Sequence, residues 1–246
     1  MQNRENQNVP NATFKTRQDG EFVDVTANSI FDNKTVVVFS LPGAFTPTCS
    51  SSHLPRYNEL AQTFKDNGVD EIICLSVNDA FVMDAWKSDQ ESENINLIPD
   101  GNGEFTEKMG MLVDKSDLGF GKRSWRYSML VIDGVIKKMF IEDDVPGDPF
   151  DVSDADTMLN YINPNARKPD AITMMTKSGC PYCENAKTLL QAHNMAFDEI
   201  SVGNDANLRS VRAITGQETV PQIFINGNHI GGSEDLEKYL ASQNAA

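Results

Sequence analysis

Val36-Val37-Val38-Phe39-Ser40-Leu41-Pro42-Gly43-Ala44-Phe45-Thr46-Pro47-Thr48-Cys49 is the stretch on which the reading of this chain turns. Its first six residues form a near-continuous apolar run, the pattern of a strand buried on both faces. A short turn then delivers Cys49 to the start of a helix expected over 50–66 and kinked at Pro55, whose apolar residues include Leu54, Tyr57, Leu60 and Phe64. A second apolar run, Glu71 to Val77, reads as another strand, and Asp79 to Ser88 as another helix. Met129 to Ile132, then Asp133-Gly134, then Val135-Ile136 has the form of a tight hairpin. Alternating strands and helices that end in a hairpin predict an α/β unit with a mixed central sheet.

The same logic repeats later on a smaller scale. The pattern predicts strand 171–175, helix 181–193, strand 196–202, helix 204–215, strand 222–225, a turn at Asn226-Gly227, a short strand and helix 233–241. Between the halves lies Asn163-Pro164-Asn165-Ala166-Arg167-Lys168-Pro169-Asp170, with two prolines and no large apolar residue. It reads as a stiff, exposed connector. The expected organisation is a first domain over residues 1–162, a linker over 163–170 and a second domain over 171–246. The first is expected to close with a helix from Asp154 to Ile162, with Ser153 as its N-cap.

Length and composition are compatible with two ordinary globular cores. The net charge is −15 over 246 residues, and both halves are acidic. Neither offers the basic footprint of a nucleic-acid or anionic-membrane binder. No stretch approaches the roughly 18 apolar residues of a membrane span. The first eleven residues are polar and include Glu5, unlike a secretory or transit leader, so a cytoplasmic location is expected. Four cysteines are few for a secreted disulfide scaffold, so catalytic thiols are the expected use.

Cys49 in a first helical turn faces free backbone N–H groups and the positive end of the helix dipole. Lowering a thiol pKa from about 8.5 to about 6 takes roughly 3.4 kcal/mol. A helix terminus contributes only about 0.3–2 kcal/mol, so a cation is needed as well. At about 4 Å and an effective dielectric near 20, a cation supplies roughly 4 kcal/mol before desolvation. The source is sought in Lys122-Arg123-Ser124-Trp125-Arg126-Tyr127-Ser128, a basic island. Arg126 leads into an apolar strand and is expected to be fixed at a sheet end, with Lys122 and Arg123 on a solvated loop.

Pro42, Thr46 and Cys49 stand in a P-x-x-x-T-x-x-C pattern, and the fuller Pro-Gly-Ala-Phe-Thr-Pro-x-Cys is similar to peroxiredoxins of the peroxiredoxin 5 type. Arg126 matches that family's arginine, and the resemblance covers most of residues 12–162. It implies a peroxidatic Cys49, a Thr46 hydroxyl that hydrogen-bonds peroxide, a Pro42 that shields the thiolate and an Arg126 that stabilises both thiolate and leaving oxygen. His53 matches the family's Thr-His-Leu-Pro segment and lies on the Cys49 helix face. It reads equally as a helper beside the pocket or as a packed helix residue. Cys74, inside an apolar strand, reads as a small buried hydrophobe rather than a resolving thiol. The first domain is therefore expected to need an external thiol.

Cys180-Pro181-Tyr182-Cys183 is the second cysteine motif. Zinc usually requires a second ligand pair, and His193 and His229 show no suitable spacing, so no metal is expected. Cys180 at a helix start is the expected reactive thiolate, with Cys183 one turn deeper. The segment from Thr176 to Cys183 resembles glutaredoxin, as do Thr219-Val220-Pro221 and Gly231-Gly232-Ser233-Glu234-Asp235, over essentially all of residues 170–241. The departure is Glu234 where the family usually has Asp. The resemblance implies glutathione held by Lys177, Tyr182, the Thr219-Val220-Pro221 cis-proline loop, Gly232, Ser233 and Glu234. The γ-glutamyl carboxylate would sit at the helix N-terminus by Ser233.

The chain as a whole resembles bacterial hybrid peroxiredoxin–glutaredoxin proteins. The resemblance implies two thioredoxin-like α/β domains and a peroxidase that uses glutathione as reducing co-substrate. No permanently bound cofactor is expected. Hydrogen peroxide and small alkyl hydroperoxides are the expected substrates. Two other readings stay open: a general glutathione–disulfide oxidoreductase, and a non-catalytic peroxide sensor or chaperone. Eight linker residues span at most about 26–29 Å. Contacts between the glutaredoxin domain of one subunit and the peroxiredoxin domain of another, in a homodimer or homotetramer, are therefore expected.

Overall fold

The structure, a computed structural model, describes residues 1–243. The chain divides into two compact units, one ending at Lys168 and one starting at Pro169. The first opens with a hairpin, β1 (Thr13–Gln18) and β2 (Glu21–Thr26), and a short helix α1 (Ala27–Phe31). Its central sheet is built from β3 (Thr35–Leu41), β4 (Glu71–Ser76), β5 (Asn96–Pro99), β8 (Tyr127–Ile132) and β9 (Val135–Ile141). A small hairpin of β6 (Leu112–Asp114) and β7 (Lys122–Ser124) precedes β8. The strand order is β5-β4-β3-β8-β9, with β3, β4 and β5 parallel and β8 and β9 antiparallel.

The apolar run of β3 follows from cores on both faces of this sheet. Val37, Phe39 and Leu41 point into one core with Leu54, Tyr57, Phe64, Trp86 and Met158. Val36 and Val38 point into the other with Phe14, Phe31, Phe105 and Trp125. The Phe39 and Tyr57 rings stack at 4.1 Å between centroids, with planes 2° apart. Asp133 and Gly134 have φ of 48° and 72°, as a two-residue hairpin turn between β8 and β9 requires.

Register places the key residues. Ser40 pairs with Tyr127, so Arg126, one residue before β8, lies beside the end of β3 from which the Cys49 loop departs. The single helix expected over 50–66 is instead three segments. A wide π turn covers Cys49–His53, followed by α2 (Leu54–Glu59) and α3 (Ala61–Asp66). The Leu54 N–H reaches back to the Cys49 carbonyl. Pro55, in the first turn of α2, has no N–H to continue the regular ladder through this region.

The remaining helices of this unit are α4 (Ala80–Asp89), α5 (Glu104–Lys108) and α6 (Ala155–Ile162). Asp154, not Ser153, caps α6: its Oδ1 accepts from Thr157 N at 2.9 Å. Ser153 is buried and bonds Glu142 instead. Arg123 is likewise not on a free loop. It lies in β7, and its Nη1 donates to the Val77 carbonyl at 2.5 Å.

The second unit has β10 (Ile172–Thr176), α7 (Pro181–Ala192), β11 (Asp198–Ser201), α8 (Leu208–Thr215), β12 (Gln222–Ile225), β13 (Asn228–Gly231) and α9 (Ser233–Gln243). Its sheet order is β11-β10-β12-β13, parallel between β10 and β11 and antiparallel elsewhere. Ile172, Met174, Ile223 and Ile225 pack with Ala186, Leu190, Leu236 and Leu240 from α7 and α9. Met175, Val202 and Val211 form a second cluster with α8. α8 starts later than expected because Asn207 caps it, accepting from Ser210 N, while Asp205 bonds back to Ser201 N. Both units are thus mixed sheets flanked by helices, as the sequence pattern implied.

The connector is less free than its composition suggests. Asn163 Nδ2 donates to Asn67 Oδ1, Ala166 packs on the first core, and Lys168 pairs with Asp156 at 2.7 Å. On the other side, Ala171 N and Asp170 bond the Asn226 side chain within the second unit. Pro169 alone lies between these anchors. Among the described residues, no helix is long and apolar enough to cross a membrane.

Candidate active site

Cys49 sits in the first turns of the helical segment that starts at Pro47, with its thiol fully buried. The loop before it is held from two sides. Thr46 Oγ1 donates to the Gly43 carbonyl at 2.9 Å, leaving the hydroxyl oxygen able to accept. Asn78 Oδ1 accepts from Ala44 N at 3.0 Å and from Ser76 Oγ at 2.7 Å. Phe45 takes a φ of 62°, a left-handed conformation uncommon outside glycine, and its ring is exposed.

Arg126, 1% exposed, reaches this thiol from the end of the sheet where β8 begins. Its Nη1 lies 3.5 Å from Cys49 Sγ and 3.1 Å from His53 Nδ1, and its Nη2 donates to Asp148. Its guanidinium lies over the Phe150 ring, 5.4 Å from the centroid. Burial, and then the Arg126 charge, push His53 well below the ordinary histidine range, so the ring is neutral. With its Nε2–H donating to the Ser153 carbonyl at 3.2 Å, its Nδ1 is left to accept from Arg126. His53 therefore serves both as a packed residue and as a neighbour of the Cys49–Arg126 pair. Pro42, Thr46 and Arg126 line one cavity of about 290 Å³ with Pro47, Trp125 and Asp148.

The loop that carries Asp148 and Phe150 is pinned by a buried carboxylate. Glu142 accepts from the backbone N–H groups of Asp151, Val152 and Ser153 and from Ser153 Oγ. Burial raises its pKa, but these hydrogen bonds outweigh burial and hold it below the usual range. Cys74 lies in β4 opposite Phe39, and burial, then nearby Cys49, push its thiol well up.

The second thiol site is built at the start of α7. Cys180 Sγ accepts from Cys183 N at 3.2 Å and lies 3.7 Å from the Val220 carbonyl. The Val220–Pro221 peptide is cis. Cys183 is fully buried, and burial, then its bond with Cys180, push its thiol up. Lys177, Tyr182, Thr219 and Glu234 are exposed, and Val220 and Gly232 half-buried. Gln222 Nε2 holds the Thr219 carbonyl at 2.9 Å. The Ser233 hydroxyl is not presented outward, because it is buried and accepts from Asn185 Nδ2 at 2.9 Å. Gly232 N donates to Asp235 Oδ2 at 3.1 Å. A Cβ on Gly231, whose φ is 120°, would lie 2.5 Å from that carboxylate, so the turn into α9 requires glycine.

A family model described as redoxin matches residues 4–159, and one described as glutaredoxin matches residues 172–230. A Haemophilus influenzae protein called hybrid peroxiredoxin hyPrx5 is 65% identical over 241 residues, covering 98% of this chain and 100% of that one. The chain belongs to the hybrid peroxiredoxin family. A Synechocystis peroxiredoxin is 60% identical over 167 residues, covering 63% of this chain and 88% of that protein. The crystal structure of reduced Prx3 in complex with hydrogen peroxide from Vibrio vulnificus is 41% identical with a TM-score of 0.61. It covers 64% of this chain and 98% of that one.

In the peroxiredoxin unit, the structure brings Cys49, Thr46, Pro42 and Arg126 to one place. In the glutaredoxin unit, it brings Cys180, Cys183 and Val220 together. Sequence reasoning missed Asp148, Phe150, Asn78 and Glu142. Asp148 sits in an acidic stretch, Glu142 to Asp151, that does not single out one carboxylate. Phe150 and Glu142 act through partners distant in sequence.

The buried neutral His53 predicts a pH dependence of stability. Its folded pKa lies below the unfolded value of about 6.5, so stability is complete above that pH and falls below it as the unfolded chain takes up a proton. The loss is at most about 1.4 kcal/mol per pH unit until the folded pKa is reached. Denaturant melts of wild type and His53→Gln between pH 7 and pH 5.5 should differ in slope, with the smaller dependence in the variant.

Proposed function

We propose that this peroxiredoxin is a glutathione-dependent thiol peroxidase for hydrogen peroxide and small alkyl hydroperoxides. The observation that carries the reading is the buried Arg126 guanidinium 3.5 Å from Cys49 Sγ. A fixed cation there favours the thiolate and stabilises charge moving onto the leaving oxygen, without reorganisation at the moment of reaction. The Cys49 thiolate attacks one peroxide oxygen and the O–O bond breaks. Cys49 becomes a sulfenic acid, and water or an alcohol leaves once the departing oxygen takes a proton. Thr46 accepts a hydrogen bond from the peroxide, and Pro42 keeps bulk water from the thiolate. The mainly apolar wall of Leu118, Phe120, Trp125 and Pro149 supports an alkyl group on the substrate.

Cys74 is a poor resolving thiol because burial keeps it protonated. Glutathione therefore condenses with the sulfenic acid, releasing water and leaving a mixed disulfide on Cys49. The Cys180 thiolate attacks the glutathionyl sulfur and frees the Cys49 thiolate. A second glutathione then displaces oxidised glutathione from Cys180. The Cys183 N–H bond to Cys180 Sγ supports Cys180 as the attacking thiol. Burial of Cys183 supports a secondary role for it. Glutathione is read as lying along the Thr219-Val220-Pro221 loop with its carboxylates toward Lys177 and the start of α9. The backbone N–H groups of Ser233 and Glu234, rather than the engaged Ser233 hydroxyl, receive the γ-glutamyl end. Thiol exchange alone completes the cycle, so no resident cofactor takes part in it.

With Pro169 as the only residue between the two anchors, the tether limits which Cys49 a given Cys180 reaches. The reading therefore includes transfer between subunits of a homodimer or homotetramer, with the tether raising the local concentration of the glutaredoxin unit. Glutathione-driven peroxide consumption should be lost in Cys49→Ser and Cys180→Ser and largely retained in Cys183→Ser. Mixing the two inactive variants and letting subunits exchange should restore part of the activity. Full turnover by Cys180→Ser would mean that glutathione reduces Cys49 unaided. No restoration on mixing would place transfer within one chain.

A further inference from the structure

Arg126 is a buried cation whose partners change during the proposed cycle. Its Nη1 contacts Cys49 and His53, its Nη2 contacts Asp148, and its Nε is buried without a partner among the described residues. Of these groups His53 is neutral, since its Nδ1 accepts from the guanidinium and its Nε2–H is committed to the Ser153 carbonyl. Cys49 is an anion only while it is a thiolate. As a sulfenic acid or a glutathione mixed disulfide it carries no charge. During those stages Asp148 is the one anion bonded to Arg126 among the described residues, and a buried cation left without a counter-ion is strongly destabilising.

We propose that Asp148 is a positioning residue whose carboxylate holds the Arg126 guanidinium through the stages in which Cys49 is uncharged. Its surroundings suit that task. Gly147, Asp148 and Pro149 line the cavity that Arg126 also lines. The chain just beyond them is fixed by the bonds from Asp151, Val152 and Ser153 to Glu142. Phe150 covers the guanidinium and packs on His53 at 4.8 Å between centroids. Asp148 itself is 43% exposed at the side chain, so water lowers the cost of keeping it charged.

The arrangement has a consequence for Cys49. The other titratable groups around the pair are His53 on the same helical segment, Cys74 on β4, Tyr57 on α2, Lys115 across the cavity, and Glu142, whose carboxylate is taken up by the Asp151–Ser153 segment rather than by Arg126. His53, Cys74 and Tyr57 are neutral, and Lys115 lies over the Trp125 ring at 4.8 Å. Asp148 is thus the negative charge that competes with the Cys49 thiolate for Arg126. Removing that charge makes the thiolate easier to form. A carboxylate that merely propped Arg126 in place would have the opposite effect, since its loss would let the cation drift from the sulfur.

The inference rests on Cys49 and Arg126 acting as the peroxidatic pair, and the experiment separates the two. The thiolate of Cys49 is titrated by its ultraviolet absorbance in the full chain carrying Cys180→Ser and Cys183→Ser. Asp148→Asn should move the midpoint to lower pH by about half a unit or more, discounting the full effect of a close charge for the exposure of Asp148. Asp148→Glu, which keeps the charge, should leave the midpoint near that of the parent. The rate of sulfenic acid formation against pH should shift with the same sign and size. A midpoint that stays put or rises in Asp148→Asn overturns the assignment. Should Cys49→Ser in the otherwise native chain keep its peroxidase activity, the underlying reading fails instead, whatever Asp148 does.

Discussion

A guanidinium with 1% of its surface exposed, held against a cysteine sulfur at the end of the two central strands β3 and β8, is the interaction on which the first unit is organised. Placing a charge there requires an antiparallel strand to start beside the end of β3, and the pairing of Ser40 with Tyr127 sets that register. It also requires partners for the buried donors. His53 supplies one as a neutral ring, Asp148 another as an anion, and Phe150 covers the face. The Glu142 carboxylate, through four hydrogen bonds, fixes the segment that follows Asp148 and Phe150. Much of the polar architecture near Cys49 is therefore traceable to one buried cation.

The glutaredoxin unit arranges its Cys180 sulfur by different means. Among the described residues no cation is bonded to Cys180; its sulfur accepts a backbone N–H one helical turn on and lies near a backbone carbonyl of the cis-proline loop. Such a site is half-exposed and suited to thiol exchange, where a partner sulfur must approach. The Cys49 site is buried and suited to a small oxidant. In the proposed cycle this contrast assigns oxidation to the first site and thiol exchange to the second.

Much of this was legible in the sequence, and for a physical reason. A strand buried on both faces must be apolar throughout, so Val36 to Leu41 betrayed the centre of the sheet. A buried thiolate calls for a nearby cation, and Arg126, leading directly into an apolar strand, stood out as the residue a sheet end would fix; its Nη1 lies 3.5 Å from Cys49 Sγ. What was hidden depends on non-local contact. Asp148 is one acid among several in its loop, and only the folded chain selects it. Pro55 announces an interruption of the helix after Cys49, but periodicity cannot register the extra residue in the π turn at Cys49–His53. Ser153 was mistaken for a cap because Asp154, the true cap, lies next to it, and the buried acceptor Glu142 is eleven residues away.

The central claim is that a glutathione mixed disulfide formed on Cys49 is handed to Cys180. Mass spectrometry of peptides from protein treated with peroxide and limiting glutathione tests it most directly. The account predicts a glutathione adduct trapped on Cys49 in Cys180→Ser, and an adduct on Cys180 in Cys183→Ser. Adduct on neither cysteine, or a disulfide joining Cys49 to Cys74, would contradict it.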